Sequence, residues 1–163
     1  MSLLLRAEDE AENQAGTYNA CPAYKGIAIA FCCVAITSLV PVALVQLRVI
    51  KRLPDPPGNI FASKRIVTSK SAYVSGIPDG LLGLGSYSVT LILLITAKPS
   101  RPLLRGMLRV KLLLDGTIAA RKARGQLKQF GRICSWCMGT AMATAGVIHF
   151  ARKARRAERL RRA

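Results

Sequence analysis

The sequence predicts an all-α integral membrane protein with at least three spans. Half of the 163 residues are apolar (51%), yet the chain carries a net charge of +17. A soluble globule does not reconcile those two figures. A membrane protein does, because its charges gather outside its spans. Three stretches also run uncharged for about the ~20 residues that a helix needs to cross a bilayer core. Nucleic acid, the other common partner of a basic chain, calls for basic faces on a polar fold, often interleaved with aromatics. Aromatics make up only 6% here and the basic residues mostly flank the uncharged stretches, so no nucleic-acid partner is expected.

The first stretch covers residues 26–47, GIAIAFCCVAITSLVPVALVQL. It follows an acidic segment with Glu8, Asp9, Glu10 and Glu12, and so starts too late for a cleaved signal peptide. Pro41 is expected to kink it and free a backbone carbonyl, which neighbouring helices tolerate. The second stretch is residues 80–97 and the third is 133–151. Between them, residues 101–132 have helical periodicity and good helix formers, but Arg105, Arg109, Lys111 and Asp115 interrupt the apolar half. Each charge costs ~2.5–3.5 kcal/mol at a bilayer centre and less near an end. Leu103, Leu104, Met107, Leu108, Leu112, Leu113 and Ile118 offset part of that, while Arg121, Arg124, Lys128 and Arg132 share one face. Two outcomes stay open for this segment. It is an interfacial amphipathic helix, or it is a further span whose charges snorkel or face the other helices.

After Ala151 come Arg152, Lys153, Arg155, Arg156, Arg159, Arg161 and Arg162 against Glu158 alone. The positive-inside rule places this tail in the cytoplasm. The start of the third stretch then lies on the outer side, which is oxidising in a bacterial envelope or an endoplasmic reticulum. The cost of this orientation is that residues 121–132, also basic, fall outside.

Five cysteines, with one Cys-x-x-Cys among them, do not make a disulfide framework. A structural zinc site needs four ligands. One such pair and a single His do not supply them, so no metal is expected. Cys32 and Cys33 read as small packing residues inside a span, and Cys21 as a loop thiol. Cys134 and Cys137 are different. Three residues apart on a helix they share a face. At a helix N-terminus the exposed amides and the dipole stabilise the thiolate, the nucleophile of disulfide exchange. Two buried thiols on a packing face are the competing interpretation.

Residues 63–87, SKRIVTSKSAYVSGIPDGLLGLGSY, resemble the loop and second helix of the vitamin K epoxide reductase family, whose members carry a Cys-x4-[Ser/Thr]-Ser stretch, a Gly-Ile-Pro turn and a glycine-bearing helix start. Thr68, Ser69, Gly76, Ile77, Pro78 and Gly83 match at the expected spacing, and Cys134-Ser135-Trp136-Cys137 is similar to the family's Cys-x-x-Cys at the outer end of its last helix. The resemblance divides the chain into a polar N-terminal segment (1–24), a transmembrane bundle (25–152) and a basic cytoplasmic tail (153–163). It implies four helices around a quinone of the menaquinone, ubiquinone or vitamin K type, bound as substrate. It implies that Cys137 lies next to the quinone and that Cys134 exchanges with a loop cysteine, which is supplied in turn by a thioredoxin-like protein. Asp79, Gly83, Trp136 and Ser69 become candidate quinone-site residues, and Cys134 and Cys137 the catalytic pair. The implied location is multi-pass: plasma membrane in a bacterium, endoplasmic reticulum in a eukaryote.

The chain departs from this pattern. Ser63 stands where the second loop cysteine is expected, and no cysteine occurs from Val34 to Ile133. Asp79 replaces an Asn near the quinone, and Ala141 replaces an aromatic found in animal members. A non-catalytic membrane subunit that binds a quinone or a partner is therefore a rival to the oxidoreductase. A basic amphipathic protein bound to anionic lipid or nucleic acid through residues 98–132 and 152–163 is a second rival. Other residues carry plainer expectations. Gly80, Gly83 and Gly85 suit helix packing, since no strand precedes them and no Lys-Ser/Thr follows. His149 reads as an interfacial hydrogen-bonding residue, Trp136 and Tyr87 also as interface anchors, and Ser69 also as a helix cap.

Overall fold

A computed structural model describes residues 2–51, 53, 55, 61–97 and 100–160, with side chains from Pro22 onward. The acidic residues at 8–12, the thiol of Cys21, Pro56, Pro57, Arg161 and Arg162 lie outside the described side chains. The elements are helix α1 (Ser2–Gln46), a short helix α2 (Ser63–Val67), a 3-10 turn (Lys70–Ala72), strands β1 (Tyr73–Val74) and β2 (Ile77–Pro78), and helices α3 (Asp79–Thr96), α4 (Pro102–Phe130) and α5 (Ser135–Leu160). The fold is all-α, with a two-residue hairpin as its only sheet among the described residues.

Four long helices pack side by side. α1 lies against both α3 and α5, and α4 closes the other side against the same two. Small residues set the spacing. Ala28, Cys32 and Ala35 on α1 meet Ala143, Val147 and Ala151 on α5 in one buried cluster, which Tyr87, Leu93, Leu94, Leu108 and Leu112 complete. Small side chains let helix backbones approach closely where no water drives them together. At Gly80 and Gly83 the approach of α1 to α3 is closest. A Cβ on Gly80 would stand 2.9 Å from the backbone nitrogen of Ala43, and one on Gly83 would stand 2.9 Å from Leu39 Cδ1.

Two helices, Pro22–Gln46 within α1 and Asp79–Thr96, are long and apolar enough to cross a membrane. The third uncharged stretch does not reach that standard among the described residues. It is built from Ser135, Gly139, Thr140, Thr144, Gly146 and His149 as well as apolar residues, and its helix runs on into the basic tail. Its inward face is small and its threonines bond to their own helix: Thr140 to the carbonyl of Trp136 at 3.0 Å and Thr144 to that of Thr140 at 2.7 Å. Uncharged is thus not the same as lipophilic.

The doubtful segment is helix α4, packed on α3 and α5 with Leu108, Leu112 and Asp115 buried. Lys111 and Asp115, one turn apart, pair with each other. Ser86 and Thr90 of α3 donate to the same carboxylate at 3.1 and 2.7 Å. These two charges face the neighbouring helices and neutralise one another. α4 ends at Gly131, whose N–H bonds the carbonyl of Leu127 at 3.1 Å, as a left-handed residue after a helix does.

The Gly-Ile-Pro segment forms the hairpin. Ser75 and Gly76, with φ of 52° and 84°, make the two-residue turn with both centres left-handed that matches strand twist. Tyr73 pairs with Pro78 and Val74 with Ile77. Pro78 then opens α3, with Asp79 as the acidic residue of its first turn.

Gly80→Ala is expected to lower thermal stability in mild detergent by about 1–3 kcal/mol, the usual cost of overpacking. The new methyl would collide with α1 backbone. Gly85→Ala, which faces open space, should leave the melting temperature unchanged or raise it.

Candidate functional site

The mouth of α5 is assembled by the loop that precedes α3. Phe61 and Ile133 form a parallel bridge, and Ala62 donates to the Ile133 carbonyl at 3.2 Å. This carries Ser63 onto the first turn of α5. Ser135 donates its N–H to Ser63 Oγ at 3.0 Å, and the two hydroxyls lie 3.2 Å apart. Asp55 clamps both residues, accepting from Ser63 N at 3.0 Å and from Ser135 Oγ at 2.8 Å. Ser63 and Cys134 are both fully buried. Ile66, Val67, Val42, Val45 and Leu53 form a small apolar cluster with Cys134, against which Trp136 packs. Ser63 therefore touches the Cys-x-x-Cys at the place where the resemblance put a loop cysteine.

Gln46, the last residue of α1, holds the loop down. It is buried, and its amide donates to the carbonyls of Val67 and Ala72 at 3.3 and 3.2 Å. Its oxygen accepts from Gly80 N at 2.8 Å. One side chain thus ties loop, hairpin and α3 together.

Cys134 precedes α5 and its sulfur sits over the helix's free amides. Cys137 N lies 3.3 Å from Cys134 Sγ, and Cys134's own N–H donates to Gln126 Oε1 of α4 at 3.2 Å. The Cys134 thiol is held below the ordinary thiol value, at about 7. The chief cause is a hydrogen bond from the Cys137 thiol. The Ser63 hydroxyl and the amides of Cys137 and Trp136 add to it, and burial opposes it. The helix-terminal amides, which favour a thiolate, are thus the smaller part of the effect, and the neighbouring thiol is the larger.

Cys137 faces the other way, into a cavity of about 290 Å³ between the four long helices. Leu39, Val42, Gly83, Ile118, Met138 and Ala141 give it an apolar wall, and Asp79, Lys122, Ser86 and Asp115 place polar atoms along one side. Asp79 is paired with Lys122. A smaller recess of about 170 Å³ beside it shares Asp79, Lys122, Gln126 and Cys137. Among the described residues no three His, Cys, Asp or Glu side chains gather where they could hold a metal ion.

Of the residues singled out from sequence, Asp79, Gly83 and Cys137 line the cavity, and Cys134 lies behind it against the loop. Trp136 and Ser69 do not line it. Trp136 packs on the loop cluster, and Ser69 bonds the carbonyl of Ile66 at 2.6 Å at the end of α2. Tyr87 is not an interface anchor. It is buried between α3 and α5, with its hydroxyl on Thr144. Cys32 is buried as a packing residue, whereas Cys33 is exposed. His149 is exposed, edge-on to Phe150. Gln46, Gln126, Lys122 and the Lys111–Asp115 pair are the residues that sequence reasoning did not assign to the site.

Four long helices with a Cys-x-x-Cys at one end and a cavity between them define an all-α helical bundle. The vitamin K epoxide reductase family model matches residues 26–151, and the chain belongs to that family. No curated protein and no solved structure matches it.

The thiolate absorbance of Cys134, taken as wild type minus Cys134→Ala, should titrate with a midpoint near pH 7. The folded value is depressed, so the thiolate forms as pH rises through it and is lost below. Cys137→Ala removes the largest stabilising hydrogen bond and should move the midpoint upward, toward the ordinary thiol value. Ser63→Ala should move it in the same direction by less. A midpoint unmoved by either change would show that the pair is not hydrogen-bonded in solution.

Proposed function

We propose that this protein is a multi-pass membrane thiol–disulfide oxidoreductase that delivers two electrons from the Cys134–Cys137 dithiol to a quinone. The observation that carries this is the division of the pair between two surroundings. Cys134 is buried under the loop beside the hydroxyl of Ser63, and Cys137, packed on the same apolar cluster, also lines the cavity between the helices. A dithiol so placed can meet a protein thiol on one side and a lipid-soluble oxidant on the other. Membership of the family supports the chemistry.

Two long apolar helices and the family support a membrane location. Val89, Ile92 and Ile95 on α3 and Met107, Val110, Leu114 and Ile118 on α4 are exposed, a surface that water does not favour and lipid does. α4 and α5 would cross beside the two apolar helices, with the tail after Ala151 inside and Cys134 outside.

In the reaction, the S–H bonds of Cys134 and Cys137 yield two electrons and two protons to the quinone, which becomes quinol, and one S–S bond forms. A thiolate of a thioredoxin-like partner then attacks the disulfide at Cys134, Cys137 leaves, and the partner's second thiol resolves the mixed disulfide. The family's Asn would offer an amide donor to a quinone oxygen. Asp79 has none when ionised, and the ammonium of Lys122, which it holds at the cavity wall, supplies one.

The rival is a membrane subunit without catalysis. It is favoured by the absence of any cysteine from Val34 to Ile133 and by the hydrogen-bonded seal over Cys134. Reduced protein in detergent, mixed with a short-chain quinone, separates the two. Mass-tagging should show Cys134 and Cys137 oxidised together as quinol appears, and either cysteine changed to Ser should stop quinol formation. Thiols that stay reduced in the folded protein at saturating quinone would establish the non-catalytic subunit.

A second prediction concerns the seal. Ser63→Cys should form a disulfide with Cys134 under mild oxidation, because Ser63 already lies within hydrogen-bonding reach of that thiol. Cys137→Ser should make the species accumulate by removing the competing thiol, and Cys134→Ser should abolish it on non-reducing gels. A Cys at position 63 that stays free would mean the loop does not rest on the dithiol in the working protein.

A further inference from the structure

The end of the molecule opposite the dithiol carries a second cleft, between the first half of α4 and the last turns of α5. It has a volume of about 490 Å³. Arg109 reaches it from α4, and Arg152, Arg155, Arg156 and Arg159 reach it from α5. Its floor is Leu112, Leu113 and Ile148.

Guanidinium groups gathered in this way repel one another unless anions balance them. Among the described residues Glu158 is the neighbouring carboxylate, and Arg105 already engages it at 2.9 Å. Arg155 is half-buried, and its Nε donates to the Ala151 carbonyl at 3.1 Å. Burial and the charges of Arg109, Arg105, Arg152 and Arg159 push its proton affinity down. The cluster is therefore short of negative charge at a place where the charge is partly screened from water. Arginine presents forked donors that fit phosphate oxygens two at a time.

The floor tells a lipid from a free ion. Leu113 lines the cleft and is 58% exposed, and its neighbours on α4, Val110 one turn before it and Leu114 beside it, are exposed beyond the cleft lining. The apolar floor thus runs out onto the surface proposed to face lipid. A soluble phosphate has no use for that continuity, whereas a phospholipid has a chain to lay along it. We propose that this cleft binds an anionic phospholipid, with its phosphate among Arg109, Arg152, Arg155 and Arg156 and its acyl chain against Leu113 and Ile148. This rests on the membrane placement proposed above, but not on the redox chemistry.

The test uses the full chain in neutral detergent, so that it does not depend on insertion into a bilayer. Phosphatidylglycerol should remain bound in native mass spectrometry and raise the melting temperature. Phosphatidylcholine with the same chains should do neither, and inorganic phosphate should stabilise far less than the anionic lipid at equal concentration. Arg109→Gln with Arg155→Gln should weaken phosphatidylglycerol binding at least about tenfold, the scale of a lost charged hydrogen bond. Arg121→Gln with Arg124→Gln, at the dithiol end, should not change it. Hydrogen exchange on the wild-type chain gives a measurement independent of variant folding. The lipid should slow residues 105–113 and 152–159 and leave 121–132 alone. Equal effects of both lipids, equal effects of phosphate and lipid, or slowing at both ends alike would each overturn the proposal. Failure here with intact quinone reduction would leave the proposed function standing.

Discussion

The structure depends on how closely α1 and α5 approach. Gly139 lies under Ser38 and Gly146 under the ring of Phe31, where a Cβ would come within 2.6 Å. Alanines and Cys32 fill the rest of that contact. In lipid, apolar bulk gives helices little reason to associate, and close backbone contact supplies it instead. This seam fixes where the first turn of α5 emerges. It therefore also fixes where Cys134 and Cys137 stand relative to the loop that α1 feeds through Gln46.

The loop is the second consequence. α1 ends at Gln46, whose amide grips the loop and the start of α3 together. Ser63 arrives on Cys134 and Ser135 because the chain is pinned on both sides, by the Phe61–Ile133 bridge before it and by the grip of Gln46 on Val67 and Ala72 after it. The elements of the described loop are short, so side-chain hydrogen bonds supply partners that its backbone–backbone bonds leave open. Every such bond draws on a polar residue that a hydropathy profile scores only as a break between spans.

Much of this arrangement was legible in the sequence, and the parts that were not share a cause. The Gly-Ile-Pro turn was legible through the family resemblance alone, but the hairpin was not: a short strand, Ile77–Pro78, precedes Gly80 where none was expected, because Ser75 and Gly76 both take left-handed backbone. Gly80 and Gly83 of α3 announced close packing, whereas Gly85 faces open space. The dithiol announced itself by spacing, and Ser63 by its distance from Thr68 and Ser69. Helix α4 was not decided, because the cost of its charges was added one at a time. Lys111 and Asp115 are one turn apart and cancel on a face that meets Ser86 and Thr90. A residue-by-residue sum misses both the pairing within one helix turn and the hydroxyls of α3 that close it. The same holds for Tyr87, which looked like an interface anchor until Thr144 stood opposite it. The third stretch, uncharged but rich in Ser, Thr and Gly, is less lipophilic than the other two, and its helix runs on into the basic tail. Trp136 and Ser69 were candidates by position in a motif, and only the direction of each side chain removes them from the cavity wall.

What Ser63 does to the dithiol follows from this geometry. A cysteine in its place could hold Cys134 covalently or exchange with it. A hydroxyl can only donate a hydrogen bond to the sulfur, which stabilises the thiolate without consuming it. The cover over Cys134 is then a set of hydrogen bonds among Asp55, Ser63 and Ser135, worth roughly 0.5–1.5 kcal/mol net between the hydroxyls and about 1.5–3 kcal/mol where the Asp55 carboxylate accepts, in place of a covalent link. Such a cover opens reversibly without a reductant. An incoming thiol has to displace the hydroxyl of Ser63 rather than reduce a loop disulfide. The relay of the reaction proposed here is shortened to one dithiol, and the step that a second pair would carry passes to the opening of the loop. Selectivity for a partner then resides in what can lift residues 61–67 from the mouth of α5, a matter of surface fit, so that its thiolate reaches Cys134 in the oxidised pair.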